Sequence, residues 1–159
     1  MMRNKVLAVD YHKCIGCRIC EQWCSLSHHG VISPVKARVK VHRIEETGAN
    51  IPVICTQCNP APCVSICPEN ALSRDLKTGA VRVNDDLCVA CRKCMNACPN
   101  GAISLDTSGE TVLICDLCKG KPQCVAQCPT NSLTYVLPEI VGREQRTRIA
   151  RCFEKGGRE

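Results

Sequence analysis

With one Trp, two Tyr and one Phe in 159 residues, the chain lacks the aromatic bulk for a large apolar core, and its 17 Cys mark a crosslinked or metal-stapled scaffold. No run approaches the roughly 18 apolar residues of a membrane span, and Met1 to Asp10 shows no apolar stretch ending in a small-residue cleavage site, which argues against an exported disulfide framework. The formal charge of +6 raises nucleic-acid binding as a reading, which the metal chemistry considered below removes.

Along the chain, Lys5–Asp10 reads as a short strand leading into a first cysteine group, Cys14, Cys17, Cys20 and Cys24, with gaps of two, two and three residues. Cys20 to Gly30 reads as a helix that continues past Cys24 to a glycine stop, with Trp23 as helix packing. In the segment 25–54, Val35, Ala37, Val39 and Val41 alternate with Lys36, Arg38, Lys40 and His42, which predicts a two-faced strand. Thr47 to Asn50 would turn it back towards Ile51–Ile54, forming either a supporting hairpin or a docking surface. The second group is Cys55, Cys58, Cys63 and Cys67. A turn at Asp75–Gly79 and a strand at Ala80–Val83 lead to the third group, Cys88, Cys91, Cys94 and Cys98. Ala102–Leu105 and Thr111–Ile114 predict a hairpin around Asp106–Glu110, the fourth group is Cys115, Cys118, Cys124 and Cys128, and Ser132–Val136 closes as a strand. The tail 138–159 carries Arg143, Arg146, Arg148, Arg151, Lys155 and Arg158 and reads as a solvated tail or a docking helix. The seventeenth cysteine, Cys152, stands alone there as a free thiol.

The sequence repeats itself once. CIGCRIC at Cys14–Cys20 matches CVACRKC at Cys88–Cys94, and Val53–Leu72 matches Leu113–Leu133. Two copies of a two-group unit therefore lie in tandem, divided near residues 74–80, with 25–54 as an insertion in the first copy.

Three closely spaced cysteines followed by a fourth and a proline (Pro68, Pro99, Pro129) form the bacterial ferredoxin pattern, and only group one departs from it, with Ser25 in the proline's place. Three thiolates on a tight loop cap one [4Fe–4S] cube. The fourth is expected to begin a helical segment, point away and ligate the other cluster of a pair. Gly16 and Ala90, inside the first gaps of groups one and three, are small enough for the backbone to wrap a cluster and aim N–H groups at its sulfurs. Four groups predict four [4Fe–4S] clusters, whose charge of about −2 each brings the loaded chain from +6 to about −2 and removes the case for nucleic acid. Lys13 beside Cys14 would raise the potential of the neighbouring cluster. His12, His28, His29 and His42 are not needed as ligands. Zinc is the rival metal, although zinc sites use separated cysteine pairs rather than triplets. Because every group supplies four ligands, no iron is left open for substrate, and catalysis by this chain alone is not expected. Ligation would carry the folding energy, so the metal-free chain is expected to be largely unfolded.

The four spacings together, over residues 5–137, resemble the four-cluster electron-transfer subunits of the dimethyl sulfoxide reductase and formate dehydrogenase type. The short chain and the stretch Cys14–Lys40 are also similar to small iron–sulfur subunits of tungsten-pterin aldehyde oxidoreductases and benzoyl-CoA reductases. That resemblance implies an exchange of fourth cysteines: cluster A on Cys14, Cys17, Cys20 and Cys128; cluster B on Cys24, Cys115, Cys118 and Cys124; cluster C on Cys55, Cys58, Cys63 and Cys98; cluster D on Cys67, Cys88, Cys91 and Cys94. It implies an α+β fold of two interleaved bacterial-ferredoxin-like units with pseudo-twofold symmetry over residues 1–137. The function implied is electron relay between a molybdenum- or tungsten-pterin catalytic subunit and a flavin subunit, a quinone-linked membrane subunit or a ferredoxin. A free-standing polyferredoxin, a structural zinc module and head-to-tail self-association are the alternatives left open. A cytoplasmic location is expected, with export on a signal-bearing partner as the other option.

Overall fold

A computed structural model of the chain describes residues 4–143 and residue 146. Cys152 and the tail beyond these residues lie outside the described part, while residues 138–143 are helical. The described strands form four separate antiparallel pairs. The strand entering group one, β1 (Val6–Val9), pairs with β8 (Leu133–Val136), which leaves group four, Val6 opposite Val136 and Val9 opposite Leu133. β2 (Lys40–Ile44) and β3 (Ala49–Val53) form a hairpin between groups one and two. β4 (Leu72–Arg74), leaving group two, pairs with β5 (Val81–Val83), entering group three. β6 (Ser104–Leu105) and β7 (Val112–Leu113) form the hairpin between groups three and four. The Asp75–Gly79 turn is held by the Asp75 carboxylate, which accepts from the N–H groups of Lys77 and Thr78 at 2.8 and 2.9 Å.

Four helices fill the groups: α1 (Ile19–His29), α2 (Pro62–Ser65), α3 (Lys93–Ala97) and α4 (Gln123–Ala126). The first is the longest because no proline follows Cys24. It ends at Gly30, whose φ of 69° lets its N–H turn back to the Leu26 carbonyl at 2.9 Å. In the other three groups the fourth cysteine does not begin a helix, contrary to the sequence expectation. It lies at the helix exit, and the following proline, unable to continue the helix, opens a tight turn. In those turns the N–H of Asn70, Gly101 and Asn131 returns to the carbonyl of Cys67, Cys98 and Cys128 at 3.4, 3.2 and 3.3 Å.

The alternating segment also departs from its expectation. Ala37, Val39 and Val41 are buried as the pattern requires, but Val35 is 61% exposed on a 3₁₀ turn over Pro34–Lys36, and the strand begins only at Lys40. Proline cannot donate to a strand ladder, and the Lys40 ammonium caps the turn by donating to the carbonyls of Pro34 and Val35 at 2.6 and 2.8 Å. The hairpin is more than a surface support. The Val41 N–H donates to buried Glu21 of α1 at 2.7 Å, and Val41 and Pro52 line the same cavity as group one.

Two apolar cores result. One gathers Leu7, Val39, Ile54, Leu117 and Leu133 around cysteines of groups one and four. The other gathers Leu72, Val81, Ile103, Val112 and Ile114 around groups two and three, and Cys115 packs against both. Replacing Glu21 with Leu would leave the buried Val41 N–H unpaired at a cost of about 1–3 kcal/mol. The expected outcome is a lower thermal midpoint for the loaded Glu21→Leu protein, with Glu21→Gln, which keeps the acceptor, close to wild type.

Candidate metal centres

Each Cys-x-x-Cys loop turns through the left-handed region at its third residue: Gly16 at φ 72°, Gln57 at 54°, Ala90 at 50° and Leu117 at 59°. The sequence signalled this only at Gly16 and Ala90, where small residues stand. For Gln57 and Leu117 the conformation costs about 1–2 kcal/mol each and is held by burial, Leu117 being fully enclosed and Gln57 6% exposed. The turn brings backbone N–H groups to face sulfur: that of Gln57 approaches Cys55, and that of Leu117 approaches Cys115. Further donors reach the fourth cysteines, Arg38 N–H to Cys24 Sγ at 3.3 Å and Ala102 N–H to Cys98 Sγ at 3.4 Å.

The helices place the cysteines in sets that cross between groups. α1 packs on α4, and α2 packs on α3. Cys14, Cys17, Cys20 and Cys128 line one cavity. Cys24, Cys115, Cys118 and Cys124 line a second. Cys67, Cys88, Cys91 and Cys94 line a third, walled by Leu72, Ala90 and Val112. The remaining four, Cys55, Cys58, Cys63 and Cys98, face one another closely enough that charge on one raises the thiol of the next. Cys17 and Cys91 are exposed, whereas Cys20, Cys24, Cys55, Cys63, Cys94 and Cys124 are buried.

Burial controls the protonation of these sets. It pushes the Cys20 and Cys124 thiols up to about 12 and the Cys55 thiol up to about 11. Cys63 and Cys94 are raised for the same reason, and Cys115, which keeps some surface on its cavity wall, is raised well above its ordinary value. Cys24 and Cys128 behave oppositely: burial would raise them too, but hydrogen-bond donors outweigh it. Cys24 receives the His28 side chain and the N–H groups of Arg38 and Val39, and Cys128 receives N–H groups from Leu133, Thr130 and Ser132. A cation entering these cavities must displace protons from most of its ligands, so uptake strengthens as pH rises.

One constellation had no sequence signal. His28 Nδ1 donates to the Cys24 carbonyl at 2.8 Å and Nε2 donates to Asp116 at 3.0 Å, and Arg38 pairs with the other oxygen of Asp116 at 3.0 Å. The Asp116 hydrogen bond is the main cause holding His28 protonated, its pKa raised to about 12. Burial alone would raise Asp116, but His28 and Arg38 hold it well below the usual carboxylate range. The cluster braces α1, the insertion and group four around Cys24 and Cys118. Lys13, by contrast, pairs with Asp10 at 3.4 Å on the surface.

Removing the Asp116 charge by Asp116→Asn breaks charged hydrogen bonds worth about 1.5–3 kcal/mol. A carboxyl lowered by folding stabilises above its ordinary titration range and ceases to do so as pH falls through it. The expected result is a lower thermal midpoint for the variant at pH 7, with the gap from wild type closing on acidification below about pH 4.

The family profile described as 4Fe-4S dicluster domain matches residues 47–137. The aliphatic sulfonate oxidoreductase polyferredoxin-like subunit of Pyrococcus furiosus is 48% identical over 116 residues, spanning 73% of this chain and 66% of that relative's length. The electron transport protein HydN of Escherichia coli is 34% identical over 176 residues, spanning 94% of this chain and 99% of HydN. Among solved structures, a chain of the active site complex BamBC of benzoyl coenzyme A reductase with 1,5-dienoyl-CoA shares 25% identity and a TM-score of 0.50, over 83% of this chain and 75% of that one. The chain thus belongs to the 4Fe-4S dicluster domain family, ferredoxin-like iron–sulfur proteins of electron transfer.

Proposed function

We propose that this chain is the electron-transfer subunit of an oxidoreductase complex and holds four [4Fe–4S] clusters on its sixteen grouped cysteines. The observation that carries the reading is the crossing of the cysteine sets: three members of one group meet the fourth member of another. Cluster A takes Cys14, Cys17, Cys20 and Cys128; cluster B takes Cys24, Cys115, Cys118 and Cys124. Cluster C takes Cys55, Cys58, Cys63 and Cys98; cluster D takes Cys67, Cys88, Cys91 and Cys94. The spacing of the sulfurs favours clusters over zinc. Among the described residues, the one group of three or more ligand atoms lying within 4.8 Å of one another is His28, Asp116 and Cys118, so no cysteine set is closed to single-ion spacing.

When bound, each cluster supplies a site that takes up and gives back one electron. The chain's own residues supply thiolate ligands, N–H donors that stabilise negative sulfur, and apolar walls that exclude water. Strand pairing supports two interleaved units within residues 1–137: β1 with β8 and β5 with β4 join the entry strand of one group to the exit strand of the other in the same way. The sets follow one another, with Cys20 beside Cys124 and Cys55 beside Cys115, giving the order A–B–C–D. Exposed Cys17 beside Ile15, and exposed Cys91 beside Val89, are the two ends at which partners would approach.

The partner at one end is proposed to be a molybdenum- or tungsten-pterin catalytic subunit. The sequence resemblance supports this, and relatives named as parts of a sulfonate oxidoreductase and a benzoyl coenzyme A reductase complex support an oxidoreductase as the partner. The other end serves a flavin, quinone-linked or ferredoxin partner. No described helix is long and apolar enough to cross a membrane.

Anaerobically purified protein should contain roughly 16 iron and 16 sulfide and show coupled reduced-cluster signals in electron paramagnetic resonance. Roughly four zinc without sulfide would discard the reading. Cys128→Ser should perturb the cluster on Cys14, Cys17 and Cys20 while leaving that on Cys115, Cys118 and Cys124 intact. The reverse pattern would refute the crossed assignment.

A further inference from the structure

In the four loops that wrap the cysteine sets, only one left-handed third residue carries a buried polar side chain. Gln57 is 6% exposed with φ 54°. Its backbone N–H faces the sulfur of Cys55 in its own loop. Its side chain crosses to the other half of the repeat, where Nε2 donates to the Cys115 carbonyl at 2.7 Å, while Oε1 accepts from the Val81 N–H at 2.8 Å. One residue therefore touches a cysteine of each inner set, and Cys55 and Cys115 are close enough for charge on one to act on the other. Gly16 and Ala90 meet the same backbone demand with no side chain to satisfy, and buried Leu117 meets it with an apolar one. A buried carboxamide is costly unless both its ends are bonded. Here both ends are bonded, to two different segments of the fold, at a backbone position that glycine would occupy with less strain.

We propose that Gln57 is the positioning residue that bridges the two inner cluster sites, fixing Cys55 against Cys115 and completing a continuous path of bonds between them. The inference rests on the reading that both inner sets hold clusters. The path runs from the Cys55 sulfur to the Gln57 N–H, along its side chain to Nε2, and across the hydrogen bond to the Cys115 carbonyl. One electron leaves one inner site and arrives at the other, with no bond made or broken and no proton moved. The matching position of group four, Leu117, is apolar and cannot build a second such bridge, so this side chain supplies the one bonded crossing of its kind in the four loops.

The test uses the full-length, cluster-loaded protein and two variants. Gln57→Glu keeps the shape and the acceptor for Val81 but, ionised, cannot donate to Cys115; Gln57→Leu copies the residue at position 117. Iron and sulfide per chain, the magnetic interaction of the inner pair in the fully reduced protein, and the rate of electron equilibration between inner sites after rapid one-electron reduction are compared. The expected result is wild-type iron and sulfide, a weakened inner-pair interaction, equilibration slowed about tenfold, and outer-cluster signals unchanged. Full cluster content with wild-type interaction and rate would overturn the proposal. Loss of clusters from both variants would overturn it too, by making Gln57 a folding element only. Failure of the underlying reading is separate, because it appears as missing iron and sulfide in the wild-type protein before any variant is made.

Discussion

The fold turns on one constraint: a cysteine set is assembled from two stretches of chain that are far apart in sequence. Cys128 reaches the cavity of Cys14, Cys17 and Cys20 only if the chain's beginning and the end of group four lie side by side, and the β1–β8 pairing does this. The same demand on Cys67 and on groups two and three is met by β4 and β5. Because short strands and helices of four or five residues bury little apolar surface, these pairings have small reserves of their own. Their apolar residues pack directly onto cysteine side chains, so the interior is continuous with the metal sites rather than beside them. Thiols raised by burial then make folding, proton release and metal uptake one coupled equilibrium.

Much of this was legible because the rules that produce it are local. The cysteine spacings, the helix that runs through Cys24 to Gly30, the turn at Asp75 and the hairpin around Gly109 each follow from residues a few positions apart. Where local reading erred, a proline was involved. Pro34 delayed the start of β2, and the Cys-Pro steps placed the fourth cysteines at helix ends rather than helix starts. What stayed hidden is contact at long range. His28 and Asp116 are 88 residues apart and Gln57 and Cys115 are 58 apart, and nothing in the composition of either neighbourhood signals its partner. A histidine and an aspartate beside cysteines read as spare ligands or solvated charges until the fold brings α1, the insertion and group four together.

The insertion gains a physical meaning in that light. Arg38 donates its backbone N–H to Cys24 and its guanidinium to Asp116, and Val41 ties the same segment to Glu21. Among the described residues no matching segment braces Cys98, the counterpart of Cys24 in group three, whose sulfur receives the Ala102 N–H from its own turn. Group one lacks the proline that gives the other groups a self-contained turn, and a donor to Cys24 is provided instead by a segment folded back over α1. The longer helix and the insertion thus act together in holding Cys24.

The duplicated loops also diverge in a way that follows their position along the proposed wire. The outer loops carry Ile15–Gly16 and Val89–Ala90, thin at the turning residue and with exposed cysteines beside them. The inner loops carry Gln57 and Leu117 at the same turn, both buried. Backbone conformation is common to all four, so the difference lies in what surrounds the turn. At the outer ends a bulky residue would stand between a terminal cluster and whatever exchanges electrons with it. Between the inner sets the same bulk fills space that water would otherwise enter, and at position 57 it is polar because two backbone groups from separate segments of the second half, the Val81 N–H and the Cys115 carbonyl, must be satisfied at once. Small residues at the ends and large ones in the middle are what a relay needs when contact with partners is confined to its two outer sites.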